Sequence, residues 1–262
     1  MKKEAIHHIE KFVKNHQAKP EITTHWGVPI VGFASADEPL FSQLPSVASP
    51  THAVPRDFLP NAKTVIAYFI PFKKEMTRTN LKKRNSSKEW GLAYIETNEM
   101  IRQLSESLKE WFKIQGHEGH TIPATHNWDE KKLISDWSHR HIAYMAGIGN
   151  FGLNNMLITE QGCCGRVGSF ITSAKIAPDT RYQEETCLYK YDGTCKKCVK
   201  ECVNEALFVT SFDRFKCYEM LLENVENSRA IGYADVCGKC LVGTPCSHMN
   251  PVANKRKTLP RE

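Results

Sequence analysis

Eight cysteines fall within the sixty residues from Cys187 to Cys246, and none of the chain's ten cysteines precedes Cys163. A stretch so dense in thiols is constrained less by its apolar residues than by what the thiols hold. The order is Cys187-x7-Cys195-x2-Cys198-x3-Cys202, then Cys217, then Cys237-x2-Cys240-x5-Cys246. A Cys-x2-Cys pair puts two thiolates on one tight turn, the separation that grips one iron–sulfur cube. In two-cluster ferredoxins the last cysteine of each run crosses over to the other cluster. By that logic Cys187, Cys195, Cys198 and Cys246 hold one 4Fe–4S cluster, and Cys202, Cys217, Cys237 and Cys240 hold the second. Four thiolates per cube leave none over.

Structural zinc is the main alternative, ahead of disulfides or free thiols. Two Cys-x2-Cys knuckles separated by 38 residues could hold one ion tetrahedrally. That would strand Cys187, Cys202, Cys217 and Cys246 and give no reason for the x3 spacing to Cys202. Where ferredoxins place proline after the final cysteine of the run, this chain has Val203, and its x7 and x5 gaps are long, so irregular cluster loops are expected.

The cysteine-free part reads as an ordinary globular body. Of 262 residues, 41% are hydrophobic and 24% charged, enough apolar content for a buried core. Ile6, Ile9, Phe12 and Val13 recur at helical spacing over residues 3–16. Residues 28–34 and 64–70 are short β-rich apolar runs, and the Pro- and Ser-rich stretch 35–61 between them predicts an irregular connection. Ile101, Leu104, Leu108, Trp111 and Phe112 mark a helix over 95–114; a second is expected over 138–146, with strands at 156–159 and 167–177. Alternating helices and strands make the body α/β or α+β. The expected divisions are a body over 1–180, a ferredoxin-like two-cluster module over 181–250, and a basic tail over 251–262.

No apolar run approaches the roughly 18–20 residues that span a bilayer, and the N-terminus lacks the apolar region of a signal peptide. A cytoplasmic protein with reduced thiols and no membrane contact is therefore expected. The formal charge is +6, concentrated partly in Lys73, Lys74, Arg78, Lys82, Lys83, Arg84 and Lys88. That run reads either as a solvated loop or as a surface for nucleic acid or an acidic redox partner, and it has no interleaved aromatic residues for base stacking.

Gly147, Gly149 and Gly152 form G-x-G-x-x-G after a helix rather than a strand, which argues against a dinucleotide-binding turn. With Gly162, Gly165 and Gly168 just downstream, the segment reads either as a backbone-lined pocket or as turns between packed elements. Between the two sets, Cys163 and Cys164 read either as packed small residues or as thiols reaching a pocket or a cluster edge.

The order of AGIGNFGLNNMLIT (146–159), GRVGSFIT (165–172), the Cys-x2-Cys-x3-Cys run and Cys237-x2-Cys240 resembles epoxyqueuosine reductases and their shorter relatives. VGFASAD (31–37) and LPNAKTVIAYFIPF (59–72) resemble that family's first strands. The resemblance implies a nitroreductase-like, cobalamin-binding body followed by two 4Fe–4S clusters, an arrangement shared with reductive dehalogenases. It implies corrinoid contacts at Gly147, Gly149, Gly152, Asn154, Gly165, Gly168 and Ser169.

Three departures follow. The family's Gly-Lys-Asn is Gly152-Leu153-Asn154, its Glu-Arg is His139-Arg140, and its acidic proton donor falls on Leu133, with Asp136 the nearest carboxylate. Asp136 and His139 are thus the candidate proton donors. The chain stops soon after Cys246, so the helical extension that implies tRNA contact is expected to be missing. Two functions remain open: a cobalamin-dependent reductase fed by a ferredoxin or flavodoxin, and a non-catalytic two-cluster carrier or activator for another corrinoid or metalloprotein.

Overall fold

The computed structural model describes residues 1–258. Helix α1 (Lys2–Gln17) leads into strand β1 (Ile30–Ser35), and after two short helical turns, α2 (Leu44–Val47) and α3 (Pro55–Phe58), into β2 (Thr64–Pro71). Helix α4 (Lys74–Thr79), the long α5 (Lys88–Ile114) and β3 (Gly119–Thr121) follow. Then come α6 (His139–Met145), β4 (Gly149–Phe151), β5 (Leu157–Thr159) and β6 (Gly165–Thr172). The cysteine-rich part holds α7 (Leu188–Asp192), α8 (Lys197–Lys200) and α9 (Arg214–Asn227), and α10 (Pro251–Thr258) closes the described chain. The last four residues of the expected basic tail, 259–262, lie outside the described residues.

The main sheet has the order β1-β2-β6-β3, and every neighbouring pair is antiparallel, so within the mixed α/β class the body is α+β. β2 is buried along all eight residues, and its side chains alternate between two cores. Ile66, Tyr68 and Ile70 face α1 and α5, meeting Ile9, Leu104 and Leu108. Val65, Ala67 and Phe69 face the opposite layer, meeting Ile142, Trp137 and Phe41. The expected irregular stretch 35–61 supplies part of this second layer through Ala36, Phe41, Leu44 and Leu59.

α5 starts at Lys88, earlier than the periodicity predicts, because Ser87 caps it: the Ser87 hydroxyl accepts the Trp90 N–H at 3.1 Å. Its added first turns bury Trp90 and Ala93, and the first core runs on without a break into Cys163, Cys164, Cys187, Leu241 and Val242. Body and cysteine-rich part therefore share one core. The expected strand 167–177 is shorter at its end: after Thr172 the chain leaves the sheet, and the Thr64 hydroxyl donates to the Ala174 carbonyl at 2.8 Å. Part of the basic run is used internally, since Arg84 donates to the Val203 carbonyl and, at 2.7 Å, to Asn204 of the cysteine-rich part.

Candidate functional site

The eight cysteines fall into two groups around two cavities. Cys187, Cys195, Cys198 and Cys246 line a narrow cavity of about 20 Å³ with Leu153, Ile158 and Thr244. Cys202, Cys217, Cys237 and Cys240 line a second cavity of about 230 Å³. The two Cys-x2-Cys pairs thus face different cavities, which is not the arrangement of one zinc held by both. Among the described residues, no three of His, Cys, Asp and Glu converge closely enough to hold a single metal ion.

Local structure places each thiol. Cys187 sits at the start of α7, Cys198 lies in α8 and Cys217 lies in α9, whose first turn is capped by the Asp213 carboxylate. The Cys202 sulfur accepts the Ala206 N–H at 3.3 Å. The Cys237–Cys240 turn is pinned from the body: Asn80 donates to the Cys237 carbonyl at 2.8 Å, and Lys239 Nζ donates to the carbonyls of Asn80 (2.7 Å) and Lys82 (3.0 Å). Gly238 has φ +74° and lies flat on the Trp90 ring, where a side chain would collide.

Burial pushes the Cys198 thiol up to about 12. It pushes Cys217 up to about 11 against the opposing pull of the Arg140 guanidinium. Thiols held this way ionise when a metal takes the place of the proton. The donor set fits iron–sulfur cubes on a further observation: Trp90 Nε1 is buried without a hydrogen-bond partner, and Trp90 lines the second cavity beside Gly238. Cluster and cysteine sulfurs are acceptors for such a donor. The second cavity is the roomier of the two, about 230 Å³ against about 20 Å³.

The candidate proton donors are not brought together. The Asp136 carboxylate accepts from Thr51, Asn127 (3.2 Å) and Ser49 (3.4 Å), and these donors, Thr51 foremost, hold it below the usual carboxylate range. Asp136 is therefore an anion near neutral pH. His139 is buried between β6 and the Pro123 carbonyl, with Nδ1 2.8 Å from Ser169 Oγ and Nε2 2.9 Å from Pro123 O. Burial lowers it to about 4, so it is a neutral imidazole with both nitrogens engaged. Neither residue lines either cavity.

The residues expected to contact a corrinoid scatter. Gly165 lines the second cavity and Asn154 the first, where Asn154 Nδ2 also donates to the Cys240 carbonyl at 3.1 Å. Gly147, at φ +74°, packs against the Thr180 carbonyl, Gly149 and Gly152 pack against Ile158, and Gly168 packs against the Tyr68 ring. Ser169 is buried between His139 and Trp137. At each of these glycines a Cβ would meet a neighbouring backbone or side chain. A cavity of about 230 Å³ walled by four thiols is smaller than the ~300 Å³ at which drug-sized sites begin. It has the size for a cube.

Sequence reasoning passed over the polar wall of this cavity. Arg166 stacks over Tyr94 at 4.5 Å and donates to Asn98 at 2.7 Å, while the Tyr94 hydroxyl donates to Asp235. Arg166, Tyr94, Asp235 and Lys239 all line it. Burial pushes Tyr94 up to about 12, with Arg166 opposing. Two signals were available: Arg166 lies inside the GRVGSFIT segment, and Asp235 and Lys239 flank Cys237.

No protein-family model matches the chain. Epoxyqueuosine reductase of Bacillus cereus is 25% identical over 259 residues, covering 89% of this chain and 62% of the relative. A solved epoxyqueuosine reductase superposes with a TM-score of 0.58 at 18% identity, covering 92% of this chain and 66% of that one. The enzyme from Streptococcus thermophilus gives 0.56 at 18% identity, covering 91% and 65%. A catabolic reductive dehalogenase solved with 3-bromo-4-hydroxybenzoic acid gives 0.57 at 17% identity, covering 87% and 31%. The chain therefore spans about three-fifths of the curated relative's length. In sequence and in fold it is epoxyqueuosine reductase-like.

Proposed function

We propose that the chain is an iron–sulfur oxidoreductase carrying two 4Fe–4S clusters, one on Cys187, Cys195, Cys198 and Cys246 and one on Cys202, Cys217, Cys237 and Cys240. The division of eight thiols into two fours around two cavities carries this reading. The likeness to epoxyqueuosine reductases and reductive dehalogenases supports a reductase. When bound, the clusters supply one-electron chemistry. The protein does the rest: Trp90, Met220 and Leu241 give the second cavity its apolar wall and Arg166, Asp235 and Lys239 its charged one, and Trp90 Nε1 is buried with no hydrogen-bond partner. Asn154 lines the first cavity and holds the Cys240 backbone of the second, so one side chain fixes the spacing between them.

On this reading residues 1–180 form the body, 181–250 the cluster part, and 251–262 a basic end. A thiol set of this kind suits a reducing cytoplasm, and among the described residues no helix is long and apolar enough to cross a membrane. A ferredoxin or flavodoxin is the proposed electron donor, acidic carriers suited to a chain of charge +6.

A second reading makes a corrinoid the electron acceptor. It is favoured by the structural likeness to a protein described in terms of B12-dependent dehalogenation, at TM-score 0.57 and 17% identity. The tRNA stem loop seen with one solved epoxyqueuosine reductase is that enzyme's ligand. Anaerobic purification with iron and sulfide analysis and EPR tests the first reading: about eight irons per chain is expected, and stoichiometric zinc without sulfide overturns it. Titration with cob(II)alamin tests the second, which fails if the cobalt signal is unchanged by the protein.

A further inference from the structure

Cys163 belongs to neither group of four, yet its sulfur lies 3.9 Å from that of Cys246. We propose that Cys163 tunes the potential of the first cluster: its S–H donates a hydrogen bond to the Cys246 thiolate and makes that cluster easier to reduce. The inference rests on the two-cluster reading above.

The approach is built into the backbone. The Cys163 N–H donates to the Cys246 carbonyl at 2.9 Å, and the Cys164 N–H donates to the Ser247 carbonyl at 3.0 Å, so the two segments run side by side in fixed register. Gly162 makes this possible. Its φ is +83°, and a Cβ there would fall 2.4 Å from the His248 nitrogen and 2.5 Å from Ser247. Cys163 is 1% exposed, so its side chain has no water to turn to.

The direction of the bond follows from charge. A cluster ligand is a thiolate without a proton and can only accept, so the shared proton belongs to Cys163. Hydrogen bonds to cluster sulfurs draw negative charge off the cluster, and reduction adds negative charge, so the reduced state gains more from the bond. The first cavity magnifies the effect, because among the described residues no Lys, Arg, Asp or Glu lines it, and apart from the cysteines, Asn154 and Thr244 its walls are Leu153, Ile158, Leu188, Pro245 and Pro251. Thr244 Oγ1 lies 3.2 Å from the same sulfur, but it also reaches the Leu241 carbonyl at 2.9 Å and Ser247 Oγ at 3.2 Å, so its proton is contested.

The test is an anaerobic redox titration followed by EPR on the wild-type protein, Cys163→Ala and Cys163→Ser, each with its iron count. In Cys163→Ala, one cluster should become harder to reduce, by roughly threefold to tenfold in the one-electron equilibrium, with the other unmoved. Cys163→Ser keeps a donor, so its potential should return to or exceed the wild-type value. Equal potentials in all three proteins overturn the proposal, as does an equal shift in both variants. Loss of about four irons in both variants also overturns it, because Cys163 is then a ligand. If the wild-type protein itself binds no cluster, the two-cluster reading has failed instead.

Discussion

Nδ1 of His139 lies 2.8 Å from Oγ of Ser169, and the same Oγ accepts the Trp137 indole N–H at 2.9 Å. With Nε2 committed to the Pro123 carbonyl, one assignment satisfies every atom: His139 is neutral with its proton on Nε2, and the Ser169 hydroxyl donates to Nδ1. This junction of α6, β6 and the segment before α6 is a structural joint, and its chemistry is testable through stability.

His139 titrates near 4 when folded against 6.5 in its ordinary state, so the unfolded chain binds the extra proton first as pH falls. The stabilisation is fully present above pH 6.5 and is lost between 6.5 and 4. Its size is about 3 kcal/mol. Burial lowers His141 to about 4 as well, with the same sign. Urea unfolding at pH 7 and pH 4.5 should show the drop, and His139→Gln should flatten that slope. An unchanged slope in the variant would show that His139 is not its source.

Ser169→Ala removes the acceptor for Trp137 and the donor for His139 together, leaving two buried polar groups unpaired. The expected cost is about 2–4 kcal/mol. A melting temperature within a degree of wild type would contradict the joint described above.

Cys195→Ala and Cys198→Ala fall in one group, whereas Cys202, only four residues beyond Cys198, falls in the other. Combining Cys195→Ala with Cys198→Ala should therefore remove the same four irons as either alone. Combining Cys198→Ala with Cys202→Ala should remove all eight. Iron counts with EPR of each double variant decide the matter, and the opposite ranking would mean that sequence neighbours share a cluster.

Gly162→Ala places a Cβ in the left-handed region and within 2.5 Å of the Ser247–His248 backbone. It should cost at least about 1–3 kcal/mol and push Cys246 away from its group, with loss of irons from the first cluster while the second survives. Full iron content with unchanged stability would show that the segment adapts freely.

The sorting of the eight thiols into two fours around two cavities was legible in their short spacings, and β2 was legible because Val65–Ile70 is a short β-rich apolar run. The antiparallel sheet order was not, since β2 and β6 pair across a separation no local pattern records. Tyr94 and Asp235 meet across 141 residues, which kept the polar wall of the second cavity out of view. His139 invited a proton-transfer role by residue type, and only burial beside Ser169 and Pro123 reveals a neutral ring. The close packing beside the glycines at 147, 149 and 168 was not legible either. The chain's own backbone and side chains fill the space beside them.

In sequence order the second group of thiols is nested inside the first: Cys198 precedes it and Cys246 follows it. A nascent chain leaving the ribosome thus presents Cys202, Cys217, Cys237 and Cys240 as a complete foursome while the earlier group still lacks its fourth member. That fourth thiol is a clasp, and it fastens onto residues 162–164, a segment synthesised some eighty residues before. On the two-cluster proposal the outer foursome is complete only once Cys246 has been made and has reached residues 162–164, so that a half-made chain has no finished outer site to fill.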